Sequence, residues 1–126
     1  MTEKTRTQRL PRRTIYRRLL ERYGSQGWWP TTAAAATGSR YHPGEPERQL
    51  SEEERWEVVV GAILTQNTTW MSAAEAIRAL QEHKSLQPAR LARLTLPELS
   101  KLIRPSRYHN QKARRLHDIA SYVLDL

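Results

Sequence analysis

The stretch that decides the fold is SEEERWEVVVGAILTQNTTW, residues 51–70. Ser51, followed three residues later by Glu54, has the spacing of a capping box and marks the start of a helix. Apolar side chains then recur at the spacing of one helix face, and they are Trp56, Val59, Val60, Ile63 and Leu64. The sequence therefore predicts a helix that begins after Ser51 and buries this face.

Polar, uncharged residues interrupt the helix pattern at positions 66–69. A second apolar pattern follows, with Thr69 as its expected N-cap. Amides and hydroxyls held at a helix terminus can hydrogen-bond into a groove or to a displaced base. We therefore predict an elbow between two helices whose Gln66, Asn67 and Thr68 are of the kinds of side chain that suit such contacts. The alternative is that Gln66 and Asn67 only cap helix ends.

The remaining patterns predict an all-α helical bundle. A short amphipathic helix is expected over residues 14–23, closed by Gly24. Thr95 and Glu98 form a second capping box, and the last helix is expected to have Asn110 as its N-cap. No alternating strand pattern competes with these helices.

The domain organisation follows from composition. Residues 1–13 are predicted to be a disordered basic arm, because they are rich in arginine and lack an apolar pattern. Residues 14–126 are predicted to form a partial helical domain. Its flexible insertion is expected at about residues 31–50, where Gly and Pro accumulate.

Charge is unevenly distributed in this chain of 126 residues and net charge +8. Residues 1–23 hold eight Lys/Arg against two Glu, and residues 84–126 hold nine against three acidic residues. Basic clusters of this size favour polyanions, although a solvated face is the alternative. No stretch has the roughly 18 apolar residues of a membrane span, so we expect no membrane partner.

Four segments carry a resemblance to a known family: Gly27-Trp-Trp-Pro30, Val60-Gly-Ala-Ile-Leu-Thr-Gln-Asn-Thr68, Leu102-Ile-Arg-Pro105 and Tyr108-His-Asn-Gln-Lys-Ala113. The chain resembles the helix-hairpin-helix DNA glycosylases of the endonuclease III superfamily, and within it the branch with 3-methyladenine glycosylases. The resemblance spans residues 14–126 and corresponds to the N-terminal half of that fold.

Several features of the family have no match in this sequence. They are the Leu-Pro-Gly-Val-Gly-type hairpin, the lysine nucleophile of bifunctional members with abasic-site lyase activity, and the catalytic aspartate. The chain has no cysteine, which excludes an iron–sulfur cluster. We therefore expect no catalytic residue, no metal and no cofactor, and the enzyme assignment stays open.

The resemblance also implies where DNA would bind. The glutamine that matches Gln66 helps to fill the gap left by a flipped nucleotide, and the Tyr-Asn-Lys-Ala signature packs beside the phosphate backbone. The predicted DNA contacts are Gln66, Asn67, Thr68, Trp70, Tyr108, Asn110, Lys112, Arg114 and Arg115. Trp70 is included because it adjoins the elbow and aromatic rings stack on exposed bases. Arg107 replaces a family glycine, which puts the positive φ of that turn in doubt.

The functional prediction is a truncated or split base-excision-repair glycosylase that binds duplex DNA but is not catalytically complete alone. A second polypeptide would carry the C-terminal half, and the protein would be cytoplasmic and associated with the nucleoid. The alternatives are a non-catalytic basic helical nucleic-acid-binding protein and a non-functional gene fragment.

Overall fold

The computed structural model describes residues 11–24, 29–32, 38–40 and 49–126. Over these ranges the extended pairing is a single antiparallel bridge between Thr31 and Arg40, and the all-α prediction is confirmed. The helices are α1 (Arg12–Tyr23), α2 (Glu52–Leu64), α3 (Trp70–Glu82), α4 (Pro88–Arg93), α5 (Leu96–Leu102), a 3-10 turn (Arg104–Ser106) and α6 (His109–Leu124).

Helix α2 begins as predicted, because Ser51 Oγ accepts from the Glu54 amide and the Glu54 carboxylate accepts from the Ser51 amide. Its buried face differs from the prediction. Val59 is 38% exposed, whereas Glu57 is buried. The buried stripe of α2 therefore includes a carboxylate that apolar periodicity cannot identify.

Among the described residues, the buried apolar side chains of the core lie between Trp56 and Ala120, on α2 to α6 and on the segment that joins α3 to α4. Helix α6 packs against α4, α5 and α2, and α3 packs against α2 and the 3-10 turn. The side chains that are fully buried and largest in this core are Leu64, Ile77, Leu80, Leu91, Leu99, Ile103 and Leu116.

Helix α1 ends at Gly24 as predicted, with φ +71° at that glycine. None of its residues is buried. The helix begins at Arg12, two residues before the start expected from the sequence. Residues 1–10 of the predicted disordered arm lie outside the described residues.

The Glu57 carboxylate anchors part of the segment predicted to be a flexible insertion. It accepts hydrogen bonds from the Thr32 amide at 2.9 Å, from Thr32 Oγ1 at 2.8 Å and from Ser39 Oγ at 2.5 Å. Gln81 of α3 donates to Thr32 Oγ1 at 2.7 Å and accepts from the Gly38 amide at 3.0 Å. Residues 31–32 and 38–40 are therefore held against α2 and α3 by hydrogen bonds. The flexibility of the insertion stays a prediction, and residues 33–37 and 41–48 lie outside the description.

The Lys112 side chain joins three segments of the bundle. It is 2% exposed, and its Nζ donates to the Leu64 carbonyl at 2.8 Å and to the Ser106 carbonyl at 2.5 Å. Leu64 is the last residue of α2, where a cation is favoured by the helix dipole. We call this arrangement the Lys112 clamp; it ties α6 to the end of α2 and to the 3-10 turn.

The turn between Ser106 and α6 is strained. Arg107 has φ 59° and ψ 167°, and Tyr108 has φ 45° and ψ 36°. The Arg107 conformation belongs to a region that is essentially restricted to glycine. Arg107 therefore keeps the positive φ of this turn, although it has a side chain where the family has glycine.

In the part of the chain that the structure describes, no helix is long and apolar enough to cross a membrane.

Replacing Lys112 by Met is expected to destabilise the fold by about 2 kcal/mol, because two buried carbonyls lose a charged donor. Urea unfolding at neutral pH measures this loss. Arg114→Met is the matched control, since Arg114 is exposed on the same helix, and it should change the unfolding free energy by about 0.5 kcal/mol or less.

The difference in unfolding free energy between wild type and Lys112→Met should also depend on pH. Burial lowers the pKa of the Lys112 ammonium, and the charge of Arg115 lowers it further. Between this lowered pKa and the ordinary value of about 10.4, the unfolded state binds more protons, so the native state gains stability as pH rises. The difference in unfolding free energy between wild type and Lys112→Met should widen between pH 7 and pH 10. A difference independent of pH would contradict the buried ammonium.

Replacing Arg107 by Gly should stabilise the protein by about 1 kcal/mol, because relief of the strained φ outweighs the greater chain entropy of unfolded glycine. Thermal unfolding provides the measurement. Arg104→Gly removes an equal charge three residues earlier, where φ is not positive, and should lower the melting temperature. A lower melting temperature for Arg107→Gly as well would refute the strain.

Candidate nucleic-acid interface

The predicted elbow is present between α2 and α3. Thr65 Oγ1 donates to the Gly61 carbonyl at 2.5 Å and closes the last turn of α2. Thr69 caps α3 as predicted, since its Oγ1 accepts from the Ser72 amide at 3.2 Å. Between these two ends Gln66 and Asn67 are exposed, and Asn67 turns the chain with φ 55°. Asn tolerates this left-handed conformation better than most residues.

A hydrogen bond connects the elbow to helix α6. Arg115 Nη1 donates to Gln66 Oε1 at 2.7 Å. Both residues are exposed, so the amide and the guanidinium lie together on the surface. The structure thus brings together the two predicted DNA-binding segments, which are 49 residues apart in sequence.

Three further predicted residues lie close in sequence to Gln66 or to Arg115. Tyr108 immediately precedes the helix and is 60% exposed, and Arg114 is exposed beside Arg115. Thr68 is half-buried at the elbow. We call the set Gln66, Asn67, Thr68, Tyr108, Arg114 and Arg115 the elbow surface.

Lys112 does not belong to the elbow surface, which corrects its prediction as a phosphate contact. Its ammonium is enclosed and bound by two carbonyls, so a phosphate cannot reach it. The sequence placed it correctly in the first turn of α6 but could not show which way its side chain turns. Its role is to hold the elbow against α6.

The N-cap of α6 is Tyr108 and Asn110 is the second residue of the helix, which corrects the predicted N-cap. Asn110 is exposed, and its contact with DNA stays a prediction. The Asn110 Oδ1 accepts from Ser100 Oγ of α5 at 2.7 Å. Ser100 Oγ lies 2.6 Å from His109 Nδ1. Because the serine hydroxyl donates its one hydrogen to Asn110, His109 Nδ1 is the donor in the second contact. These bonds fix the start of α6 against α5.

Trp70 is half-buried and packs against Trp29. The ring centroids are 5.7 Å apart and the planes meet at 85°, an edge-to-face arrangement. Both rings lie over Gly61, where a Cβ would come within 3.2 Å of Trp29 Nε1 and 3.3 Å of the Trp70 ring. Gly61 thus permits the close approach of both rings to α2. This packing gives Trp70 a structural role, and its stacking on a base stays a prediction.

Two residues that support the interface were not found from the sequence. Ser106 is fully buried, its Oγ donates to the Ile103 carbonyl at 2.7 Å, and its own carbonyl receives Lys112. Ser100 orients Asn110 and His109. A single serine in a polar stretch gives no periodic signal, so neither position could have been identified.

In the described ranges, no group of three or more His, Cys, Asp or Glu side chains lies close enough to hold a metal ion. The elbow surface presents amide, hydroxyl, phenol and guanidinium groups. These groups bind phosphates and base edges by hydrogen bonds.

Two known proteins resemble this chain. A Methanocaldococcus jannaschii protein named "Putative DNA repair glycosylase MJ1434" is 35% identical over 111 residues, which cover 88% of this chain and 41% of the relative. The crystal structure of H. pylori 3-methyladenine DNA glycosylase (MagIII) bound to 1,N6-ethenoadenine aligns with a TM-score of 0.53 and 29% identity. That alignment covers 56% of this chain and 35% of the other. The chain thus spans about two fifths of the curated relative.

Residues 60–124 match the family model of the HhH-GPD superfamily base excision DNA repair proteins. The match begins within α2 and ends at the last residue of α6, so it includes the elbow, the Lys112 clamp and the strained turn. Because it spans more than half of the sequence, the chain belongs to the HhH-GPD superfamily of base excision DNA repair proteins.

Proposed function

We propose that this chain binds duplex DNA through the elbow surface, as the DNA-facing part of a base-excision-repair glycosylase. The hydrogen bond between Arg115 and Gln66 supports this most directly. It places an exposed amide and an exposed cation side by side, which are the two kinds of group that a protein uses to contact base edges and phosphates.

Arg114 and Arg115 supply the phosphate contacts in this proposal. Both are exposed at the start of α6. Each arginine that neutralises a phosphate releases condensed counterions, which gives affinity without sequence preference. Tyr108, exposed one residue before the helix, adds a hydroxyl and an aromatic ring next to them.

Gln66 acts on the bases. Rotating a nucleotide out of the duplex costs a few kcal/mol of stacking and pairing. An amide that enters the vacated space recovers part of this cost, because it can hydrogen-bond to the orphaned partner base. The Lys112 clamp supports Gln66, because Nζ donates to the Leu64 carbonyl two residues before it.

Cleavage of the N-glycosidic bond requires groups that the elbow surface does not contain. We propose that a segment outside these 126 residues, on the same or a second polypeptide, supplies the DNA-binding hairpin and the catalytic carboxylate. The assembled protein would be cytoplasmic and associated with the nucleoid.

The phosphate contacts predict a change in salt dependence. Replacing Arg114 and Arg115 together by Ala should reduce the slope of log affinity against log salt by about 1.8 for duplex DNA, because each lost contact contributes about 0.9. Fluorescence anisotropy over a salt series measures the slope.

The matched control is Arg90→Ala with Arg93→Ala. These arginines are exposed on α4, which follows the end of α3 opposite the elbow. This pair should leave the slope unchanged. If the α4 pair flattens the slope and the α6 pair does not, DNA binds elsewhere.

Base release should require the additional segment proposed above. The 126-residue chain is expected to release no base from duplexes containing 1,N6-ethenoadenine or 3-methyladenine, and fusion to the unmatched part of the Methanocaldococcus jannaschii relative should give measurable release. Chromatography of the free base checks both. Turnover by the 126-residue chain itself would show that its own residues complete the site.

A further inference from the structure

We propose that Arg115 is a positioning residue that fixes the orientation of the Gln66 amide. When a nucleotide is flipped out of the duplex, Gln66 of the elbow surface would then contact the base opposite it only through its Nε2 hydrogens. The elbow surface would bind best when that opposite base is cytosine. This inference rests on the proposed DNA-binding function of the elbow surface.

The orientation follows from the chemistry of the contact. A guanidinium group has donors and no acceptor, so the Gln66 atom that it contacts must be the carbonyl oxygen. Arg115 Nη1 lies 2.7 Å from that Oε1. The two Nε2 hydrogens therefore point away from Arg115 and are available to another partner. An unrestrained glutamine amide would present either its oxygen or its nitrogen.

The contact is supported by the Lys112 clamp. Lys112 and Arg115 are three residues apart on α6 and lie on neighbouring positions of the helix surface. Lys112 Nζ holds the Leu64 carbonyl at 2.8 Å, two residues before Gln66. Helix α6 and the elbow are thus fixed relative to each other. The hydrogen bond then has to order only the Gln66 and Arg115 side chains.

The charge of Arg115 also changes the amide. A hydrogen bond from a cation to the carbonyl oxygen polarises the amide and strengthens its Nε2 donors. Gln66 should therefore act as a stronger donor and a poorer acceptor than a free glutamine.

The four bases differ in how well they accept from such a group. Cytosine offers two adjacent acceptors, N3 and O2, on its pairing edge. Guanine offers O6 alone beside two donors, N1–H and N2–H2, for which the amide has only the oxygen that already accepts from Arg115. Thymine and adenine are intermediate. The preferred order is cytosine first and guanine last.

Binding to four duplexes that differ only in the base opposite a tetrahydrofuran abasic analogue tests this order. The wild-type chain should bind the cytosine duplex about fivefold more tightly than the guanine duplex, the ratio given by one net hydrogen bond. Gln66→Ala and Arg115→Ala should both reduce that ratio to about 1. Arg114→Ala, which removes an equal charge from the adjacent position, should weaken binding to all four duplexes and keep the ratio.

Equal wild-type affinity for the four duplexes would overturn the role of Arg115 and leave the proposed DNA binding intact. Retention of the cytosine preference in Arg115→Ala would also overturn it. No binding to any duplex would contradict the proposed function itself.

The contact can be tested without DNA as well. The side-chain amide signal of Gln66, assigned by its loss in Gln66→Ala, should shift in the ¹H–¹⁵N spectrum of Arg115→Ala and keep its position in Arg114→Ala. An unchanged signal in Arg115→Ala would show that the guanidinium does not orient the amide, whatever the chain binds.

Discussion

One buried ammonium group holds together the part of this molecule on which its proposed function depends. Lys112 Nζ binds the Leu64 carbonyl at the end of α2 and the Ser106 carbonyl at the end of the 3-10 turn. Burial of this charge is unfavourable, which is why the pKa of Lys112 is lowered. Two charge-assisted hydrogen bonds offset that cost. Segments distant in sequence, the elbow and the start of α6, are thereby held side by side.

Position along α2 separates two kinds of surface. Its first turn carries three glutamates, Glu52 to Glu54, which suit the positive end of the helix dipole. The elbow lies at the other end, about 18 Å away for a helix of this length, and there the exposed Arg115 guanidinium contacts Gln66. A polyanion is repelled from the first end and attracted to the second.

The sequence predicted those features that depend on local patterns. The capping boxes at Ser51 and Thr95, the Thr69 cap and the elbow itself were all predictable, because capping and helical periodicity are short-range properties. The directions in which the Lys112 and Asn110 side chains point could not be predicted from the sequence. Both follow from tertiary partners, the carbonyls of Leu64 and Ser106 for one and Ser100 for the other. The Arg115 contact with Gln66 was likewise hidden, because it spans 49 residues of sequence.

The central claim is that the elbow and the start of α6 form one DNA-binding surface, and amide chemical shifts during titration with an abasic-site duplex test it most directly. The account predicts that signals of residues 66–70 and 107–115 shift together, with one common dissociation constant, while those of residues 88–93 stay in place. Shifts confined to α4 or α1, or separate dissociation constants for the two segments, would contradict it.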